Sequence, residues 1–374
     1  WERKQLELRF EQFFGDTLVS DTKPPKDPII YSSFAVGNWN PTSFLYLQPS
    51  IRISSYNLYS KGYSDHIITK ALSSFSDPLS KLLYEMRFAA KINLTPNWVV
   101  KGSIGEYSQF LFTVNNEEEI LRIVDFWQPI PDGRMPQRAQ QYVIGTEAWL
   151  SEGNTISIEA YYKPYSRIYD VSPIQNAGEI DFIAGTAEAK GFEVLYRLKT
   201  NRWFGWLGYT YSQTYRTADF NLNGEIDSLR EYYPAKYDKP HSFKSVLSYR
   251  VLDKKTKIDL GSSIVYGSGQ PYTAVVGKTY QQGQQYYGSL LFPYTYFTSL
   301  NGKKNGARYP DYFRWDISLS ITTPKQKKIK LQVVNVTNYF NVLAYNWNHQ
   351  KSPSEVSRFS MFPIFPTFGV EFEL

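Results

Sequence analysis

The chain is predicted to fold as an all-β, transmembrane, antiparallel up-and-down barrel of about 14 strands. Three observations carry that prediction. Apolar and polar residues alternate with a period of two in one run after another, the mark of strands with one greasy and one wet face. Most runs reach the roughly 9 to 11 residues a tilted strand needs to cross a bilayer, and exceed the usual globular strand of about 5 to 6. Short and long connections alternate, as they do in outer-membrane barrels, where tight turns gather on one rim and long loops on the other.

Taken in order, the first expected strand, 5–17, sets Leu6, Leu8 and Phe10 against Glu7, Arg9 and Glu11. Strands 30–39 and 42–56 follow around Asn40-Pro41. In 83–94, Tyr84, Met86, Phe88, Ala90, Ile92 and Leu94 alternate with Glu85, Arg87, Lys91 and Asn93, and Thr95-Pro96-Asn97 turns the chain into 98–112. Strands 139–150 and 155–169 flank Ser151-Glu152-Gly153-Asn154; 186–199 and 203–218 flank Thr200-Asn201-Arg202; 240–253 and 256–270 flank Asp253-Lys254-Lys255. In 311–323, Trp315, Ile317, Leu319 and Ile321 oppose Arg314, Asp316, Ser318 and Ser320. Strand 328–339 leaves Pro324-Lys325-Gln326-Lys327, and the last, 363–374, sets Phe368, Val370, Phe372 and Leu374 against Thr367, Gly369, Glu371 and Glu373. Long loops are expected at 18–29, 57–82, 113–138, 170–185, 219–239, 271–310 and 340–362. Trp98, Trp149, Trp203, Trp206 and Trp315 lie near strand ends, where rings that straddle lipid and water form girdles.

Composition narrows the alternatives. No stretch approaches the roughly 18 to 20 apolar residues of a spanning helix. With 9 Trp, 31 Tyr and 24 Phe, disorder is excluded. There are no cysteines and three histidines, so disulfide scaffolds and Cys-based zinc sites are excluded and acid–base chemistry has little to work with. The 41 basic and 35 acidic residues leave a charge of +6, which suits a surface near phosphorylated lipid headgroups. The basic residues are interleaved with acids rather than gathered in a stripe, so no nucleic-acid partner is expected. The whole chain, 1–374, reads as one barrel domain, and its first residues lack signal-peptide shape, as expected of a processed chain or a piece of a longer one. A soluble β-sandwich shares the alternation; a propeller would show a blade period, which is missing.

Several segments resemble the barrel of TonB-dependent outer-membrane receptors of the Bacteroidetes style. These are Ala187-Glu188-Ala189-Lys190-Gly191-Phe192-Glu193, Trp206-Leu207-Gly208-Tyr209-Thr210-Tyr211-Ser212 and Tyr237-Asp238-Lys239-Pro240-His241. Further on come Gly267-Ser268-Gly269-Gln270-Pro271-Tyr272-Thr273, Arg308-Tyr309-Pro310 with Arg314-Trp315-Asp316, Leu331 to Asn338, and Phe365-Pro366-Thr367-Phe368-Gly369. The resemblance implies the C-terminal part of a barrel of about 22 strands. It also implies partners: outer-membrane lipid and lipopolysaccharide, the barrel assembly machinery, a surface lipoprotein, and the TonB energy-coupling complex through a plug domain that this sequence lacks.

Catalysis has no support: no phosphate loop, no nucleophile–His–acid spacing, and His66, His241 and His349 are far apart. No enzyme and no cofactor are expected, with one reservation for calcium. Asp219, Asn221, Asn223 and Asp227 stand at positions 1, 3, 5 and 9 of a calcium-loop pattern with Gly224 at 6, but Arg230 replaces the bidentate Glu at 12. An Asn/Asp/Gly turn cluster is the stronger reading. Ligand recognition is expected on the long-loop rim, at Tyr280, Tyr286, Tyr287, Tyr294 and Tyr296 in one loop and Tyr345, Trp347 and His349 in another. Tyrosine supplies a stacking face and a hydroxyl at low entropy cost. By resemblance, Thr367, Gly369, Phe372 and Leu374 form the assembly signal of the last strand. The implied function is uptake of a scarce nutrient: a siderophore-iron complex, cobalamin, a glycan or a peptide. A self-closing 14-stranded diffusion channel and a soluble glycan-binding domain are the alternatives.

Overall fold

The computed structural model describes residues 11–14, 17–20, 26–60, 81–114, 126–130, 134–171, 182–218, 232–287, 290–325, 327–348, 351 and 354–371. Every regular element among them is a strand. In chain order they are β1 (Glu11–Phe14), β2 (Thr17–Ser20), β3 (Lys26–Val36), β4 (Trp39–Thr42), β5 (Leu45–Ser60), β6 (Lys81–Thr95), β7 (Trp98–Gln109), β8 (Leu111–Val114) and β9 (Phe126–Pro129). Next come β10 (Gln137–Ser151), β11 (Asn154–Val171), β12 (Phe182–Lys199), β13 (Trp203–Ala218), β14 (Tyr233–Pro234), β15 (His241–Asp253), β16 (Lys257–Gly267) and β17 (Pro271–Tyr272). The last are β18 (Val275–Tyr287), β19 (Leu290–Asn301), β20 (Ala307–Arg308), β21 (Tyr312–Thr322), β22 (Lys328–Val334), β23 (Val342–Asn348), β24 (Glu355–Ser360) and β25 (Phe365–Glu371).

One 15-stranded sheet contains the long strands other than β18 and β19, in the order β25-β22-β21-β16-β15-β13-β12-β11-β10-β7-β6-β5-β3, with β4 beside β5 and β14 beside β13. All its pairings are antiparallel, and along the order each long strand of this sheet lies next to the one that follows it within the sheet. Tight turns such as 96–97, 152–153 and 254–256 therefore share one rim, and the long connections share the other.

Register sorts the side chains into two faces. Ile51 opposes Met86, Ile53 opposes Tyr84, and Phe88 opposes Ile104 on the apolar face. On the other face Ser50 opposes Arg87, Arg52 opposes Glu85, and Lys91 opposes Lys101. Across the sheet Leu260–Leu319 and Ile264–Trp315 share the apolar face, while Asp259–Ser320 and Val265–Arg314 share the polar one. The apolar side chains have no second layer on them: Met86 is 63% exposed, Ile144 64% and Phe368 68%. A sheet that burned no apolar surface could not offset its chain entropy in water, so hydrocarbon is what covers this face.

That face has edges. On β13 its outward row runs Trp203, Gly205, Leu207, Tyr209 and Tyr211 before Gln213, about 26 Å along the strand, or about 20 Å high at a tilt near 40°, close to the roughly 25 Å band of outer-membrane barrels. At the turn end, Trp203 and Tyr249 pack ring on ring at 4.7 Å. At the loop end, Tyr142 stacks on Tyr162, Phe192 lies against Tyr211, and Tyr209 shares a 2.8 Å hydrogen bond with His241. Just beyond, the same face turns charged, with Arg138 on Glu106 (2.6 Å) and Lys190 on Glu188 (3.4 Å).

Several expectations need correction. Of the expected strand 5–17, residues 5–10 and 15–16 lie outside the described residues, and β1 pairs antiparallel with β2 in a separate two-stranded sheet rather than continuing as one strand. Strand 98–112 ends at Gln109, and strand 328–339 ends at Val334, where Asn335 (φ 53°) enters the left-handed region. The long loops hold hairpins of their own: β8–β9, β18–β19 and β23–β24. Within the longest of these loops, the β19 stretch 290–296 sets Leu290, Phe292, Tyr294 and Tyr296 two apart, a strand signal, whereas the Gln-rich β18 shows no such alternation. Trp149 and Trp206 do not join a girdle: Trp206 stands opposite Arg197, and Trp149 opposite Thr155 in the same row, on the polar face. A water-type core exists only at the loop rim among the described residues, where Leu83, Phe110, Phe112, Ile130 and Tyr169 bury one another.

Candidate functional site at the loop rim

The segments that carry the resemblance meet at this rim. Asp238, in the Tyr237-Asp238-Lys239-Pro240-His241 motif, is buried, accepts a 2.7 Å bond from the Thr214 N–H, and receives the Arg308 guanidinium at 2.5 Å. Arg308 also donates to the carbonyls of Asp238 (3.2 Å) and Gly269 (3.1 Å), so one side chain ties three motifs together. At Gly269 a Cβ would stand 1.6 Å from the Tyr309 carbonyl oxygen, and only glycine allows this approach. Asp311 closes the knot, accepting from the Gly269 N–H (3.1 Å) and the Tyr266 hydroxyl (2.8 Å).

A second lock sits beside it. Asp170, near the loop end of β11, takes the Tyr233 hydroxyl at 2.5 Å and the Lys304 ammonium at 3.1 Å. Burial pushes its carboxyl up, but Arg216, Lys304 and the Tyr233 bond outweigh it and hold the group below the ordinary carboxylate range. Lys304 also lies 5.0 Å over the Tyr233 ring, and Asn305 (φ 51°) donates to the Pro234 carbonyl at 2.9 Å. Lys304, Asn305 and Arg308 thus pin the 302–308 segment, which leaves β19, to strand ends from β11 to β15.

Against these locks lies an aromatic stack. Tyr272 and Tyr309 face each other at 4.4 Å, Tyr309 and Tyr345 at 5.2 Å, and Tyr345 leans on Tyr272 at 5.5 Å. Burial, with Tyr345 next to it, raises the Tyr272 hydroxyl pKa. Of the residues singled out in the sequence, only Tyr345 belongs to this stack. Tyr280 is 72% exposed on the β18–β19 hairpin, edge-on to Phe297 at 4.4 Å, with Lys278 over the same ring at 4.6 Å. Lys278 also donates to the Lys351 carbonyl at 2.6 Å, joining the two projecting loops. Tyr286, Tyr287, Tyr294 and Tyr296 pair along the β18–β19 ladder, and their side chains lie outside the described residues. Trp347 pairs with Val356 in β23–β24. His349, His66, the calcium-loop residues Asp219, Asn221, Asn223 and Asp227, and Phe372 and Leu374 also lie outside the described residues. Thr367 and Gly369 sit in β25 opposite Gln332 and Lys330. Tyr272 and Tyr309 stand inside the segments that carry the resemblance but are not among the expected ligand-binding residues; their place in those segments is the signal that could have drawn them in.

The polar face below the rim holds ion pairs: Arg87–Glu85 (2.8 Å), Lys101–Glu159 (3.4 Å), Arg250–Asp259 (2.9 Å) and Arg314–Asp316 (3.1 Å). Glu85 is buried and also accepts the Ser108 N–H. No group of three or more His, Cys, Asp or Glu able to hold a metal occurs among the described residues.

A single-layer antiparallel sheet with a lipid-facing band, aromatic girdles, a charged inner face and locked loops on one rim defines a bacterial outer-membrane β-barrel wall. Residues 9–339 match the family described as TonB dependent receptor-like, beta-barrel, and the chain belongs to that family, one of receptors and transporters rather than enzymes, in the bacterial outer membrane. Solved structures share the fold. The ferripyoverdine receptor of the Pseudomonas aeruginosa outer membrane, bound to ferripyoverdine, is 13% identical with a TM-score of 0.56, covering 96% of this chain and 40% of that one. The ferric yersiniabactin uptake receptor of Yersinia pestis is 12% identical with a TM-score of 0.56, covering 92% and 45%. The ferric-catecholate import receptor Fiu of E. coli is 16% identical with a TM-score of 0.53, covering 88% and 43%. The chain thus spans about two fifths of the length of these receptors. No curated protein sequence matches it.

Proposed function

We propose that residues 1–374 serve as the C-terminal wall of a receptor that imports a scarce nutrient across the outer membrane, energised by TonB through a plug held against the charged inner face. The observation that carries this is the Tyr272–Tyr309–Tyr345 stack braced by the Asp238–Arg308 and Asp170–Lys304 locks: a rigid amphipathic platform at the mouth of a membrane barrel. Siderophore-iron, cobalamin, glycan and peptide all suit a stacking surface with hydroxyls. The likeness to iron-chelate receptors favours the first. The diffusion-channel alternative is disfavoured because β3 and β25 stand at opposite ends of the sheet and do not pair. Assembly through the Thr367–Leu374 signal fits β25, an exposed terminal strand. Lipopolysaccharide, a surface lipoprotein and calcium at Asp219–Asp227 belong to the same proposal.

The test is uptake. Cells that depend on the intact receptor for one nutrient are compared with cells carrying Tyr309→Ala or Tyr345→Ala, at equal surface amounts. Uptake at limiting ligand should fall about tenfold if each ring supplies the roughly 1 to 2 kcal/mol of a buried aromatic contact. Uptake unchanged with both rings removed overturns the platform.

A further inference from the structure

The inner face carries charge that its ion pairs leave over. Near the loop end of β15, Lys244 stands on that face, between Gly208 of β13 and Val265 of β16. Two residues earlier Ser242 stands opposite Gly267. Each of these two residues thus has a glycine for one neighbour, and the wall is shallow there. Lys239 enters the hollow from the preceding loop: its Cδ lies 3.9 Å from where a Cβ on Gly267 would be. Its pKa is lowered, first by partial burial and then by the Lys244 ammonium, so the two cations lie within reach of each other. Neither makes an ion pair among the described residues.

Their surroundings add positive charge and little to balance it. Arg314 of β21 stands opposite Val265 on the same face; it bonds Asp316 at 3.1 Å, and its buried Nε–H has no acceptor. The nearby acids are engaged: Asp238 by Arg308, Asp311 by Gly269 and Tyr266, and Asp316 also by the Asn335 N–H at 2.9 Å. Glu193 stands two strands from Ser242, opposite Thr210. Gly269, which packs on the Tyr309 carbonyl, follows Gly267 by two residues, about 7 Å of extended chain. The hollow therefore adjoins the segment that holds the tyrosine stack. Two like charges held together in partial burial repel, and an anion between them relieves both the repulsion and the lost hydration.

We infer that Lys239 and Lys244 hold an oxyanion, a carboxylate or phosphate group of the imported nutrient, on the inner wall beside the tyrosine stack. Lysine is a compact point charge for such a group, and Ser242 adds a hydroxyl. Of the nutrient classes that suit the stack, the site selects those that carry such a group, and a neutral glycan is not one of them. The source of the anion rests on the uptake reading; the anion site itself is tested without it.

The experiment is amine labelling with acetic anhydride of the intact receptor in mild detergent, resolved by peptide mass spectrometry. It is run in citrate, inorganic phosphate, glucose, or chloride at matched ionic strength. In chloride, Lys239 should label faster than Lys254 and Lys255 on the turn rim, because more of its amine is unprotonated. At ten times its dissociation constant, citrate or phosphate should slow labelling of Lys239 and Lys244 about tenfold and leave Lys254 and Lys255 unchanged. Protection by citrate alone assigns a carboxylate, and by phosphate alone a phosphate. Lys244→Gln removes one charged contact and should raise the citrate needed to protect Lys239 about tenfold. Lys239→Gln, read at Lys244, carries the same test if Lys244→Gln fails to fold. In the uptake assay either variant should lower uptake at limiting nutrient about tenfold. No protection by citrate or phosphate, equal protection by glucose, or equal slowing on the turn rim would each overturn the site. Protection with uptake unchanged by either lysine variant, while Tyr309→Ala still lowers it, marks an adventitious ion only; it overturns the assignment and leaves the uptake reading standing.

Discussion

Replacing Arg308 by alanine isolates the lock at the mouth. The Asp238 side chain is 1% exposed and keeps only the Thr214 N–H when the guanidinium goes; the carbonyls of Asp238 and Gly269 lose a donor as well. Breaking a fully buried pair costs about 3 to 5 kcal/mol. The Arg308 side chain is 35% exposed, so water screens part of that, and about 2 to 3 kcal/mol is a fair magnitude. The loss is local, because β13 and β15 keep their ladder from Trp203–Tyr249 to Tyr211–His241. Amide hydrogen exchange of the protein in detergent micelles should then speed up by about 30- to 150-fold at Gly269 and Tyr309, with residues 203–211 unchanged. Unaltered exchange at Gly269 and Tyr309 would refute the idea that Arg308 holds the three segments together. Acceleration spread evenly over the sheet would refute its being local.

Other expectations are independent of that one. The Asp170 carboxyl is held below its unfolded value, near about 3.9, so its stabilising effect is complete above that pH and is lost as pH falls through the lower folded value. Limited proteolysis at 302–306 should therefore rise below about pH 4 in the wild type, whereas Asp170→Asn should be cleaved at neutral pH with a flatter profile. Gly269→Ala forces a Cβ onto the Tyr309 carbonyl and should abolish the heat-modifiable folded form or leave the 269–311 segment open to protease. Ile158→Arg on the lipid face should cost about 2 to 4 kcal/mol in urea refolding into bilayers. On the opposite face, Glu159→Gln loses only a half-exposed pair with Lys101 and should cost under about 1 kcal/mol. Equal costs at Ile158 and Glu159 would contradict the assignment of faces.

The wall was legible because its information is local. In a strand, successive side chains point to opposite faces, so Ile317, Leu319 and Ile321 against Asp316, Ser318 and Ser320 already state which side meets lipid. A turn such as Thr95-Pro96-Asn97 states where the chain reverses, and alternation of such turns with long loops states how the rims differ. The breaks were harder to see. Asn335 and Asn338 take φ near +50°, which ends β22 at a point the alternation alone runs through, and β1 pairs with β2 where the alternation reads as one run.

Alternation, strand length and turn chemistry thus determined the sheet, its two faces and its membrane setting from the amino acids alone. Only the tertiary structure decided that Asp238 meets Arg308, that Lys304 reaches Asp170, that Tyr272 and Tyr309 join Tyr345, and that Trp206 faces Arg197 rather than lipid. The physical reason is range. Face and reversal are set by neighbours two to four residues apart, whereas the Lys304–Asp170 pair closes a separation of 134 residues. Such contacts depend on how strands curve and where loops fold back, which no local period encodes.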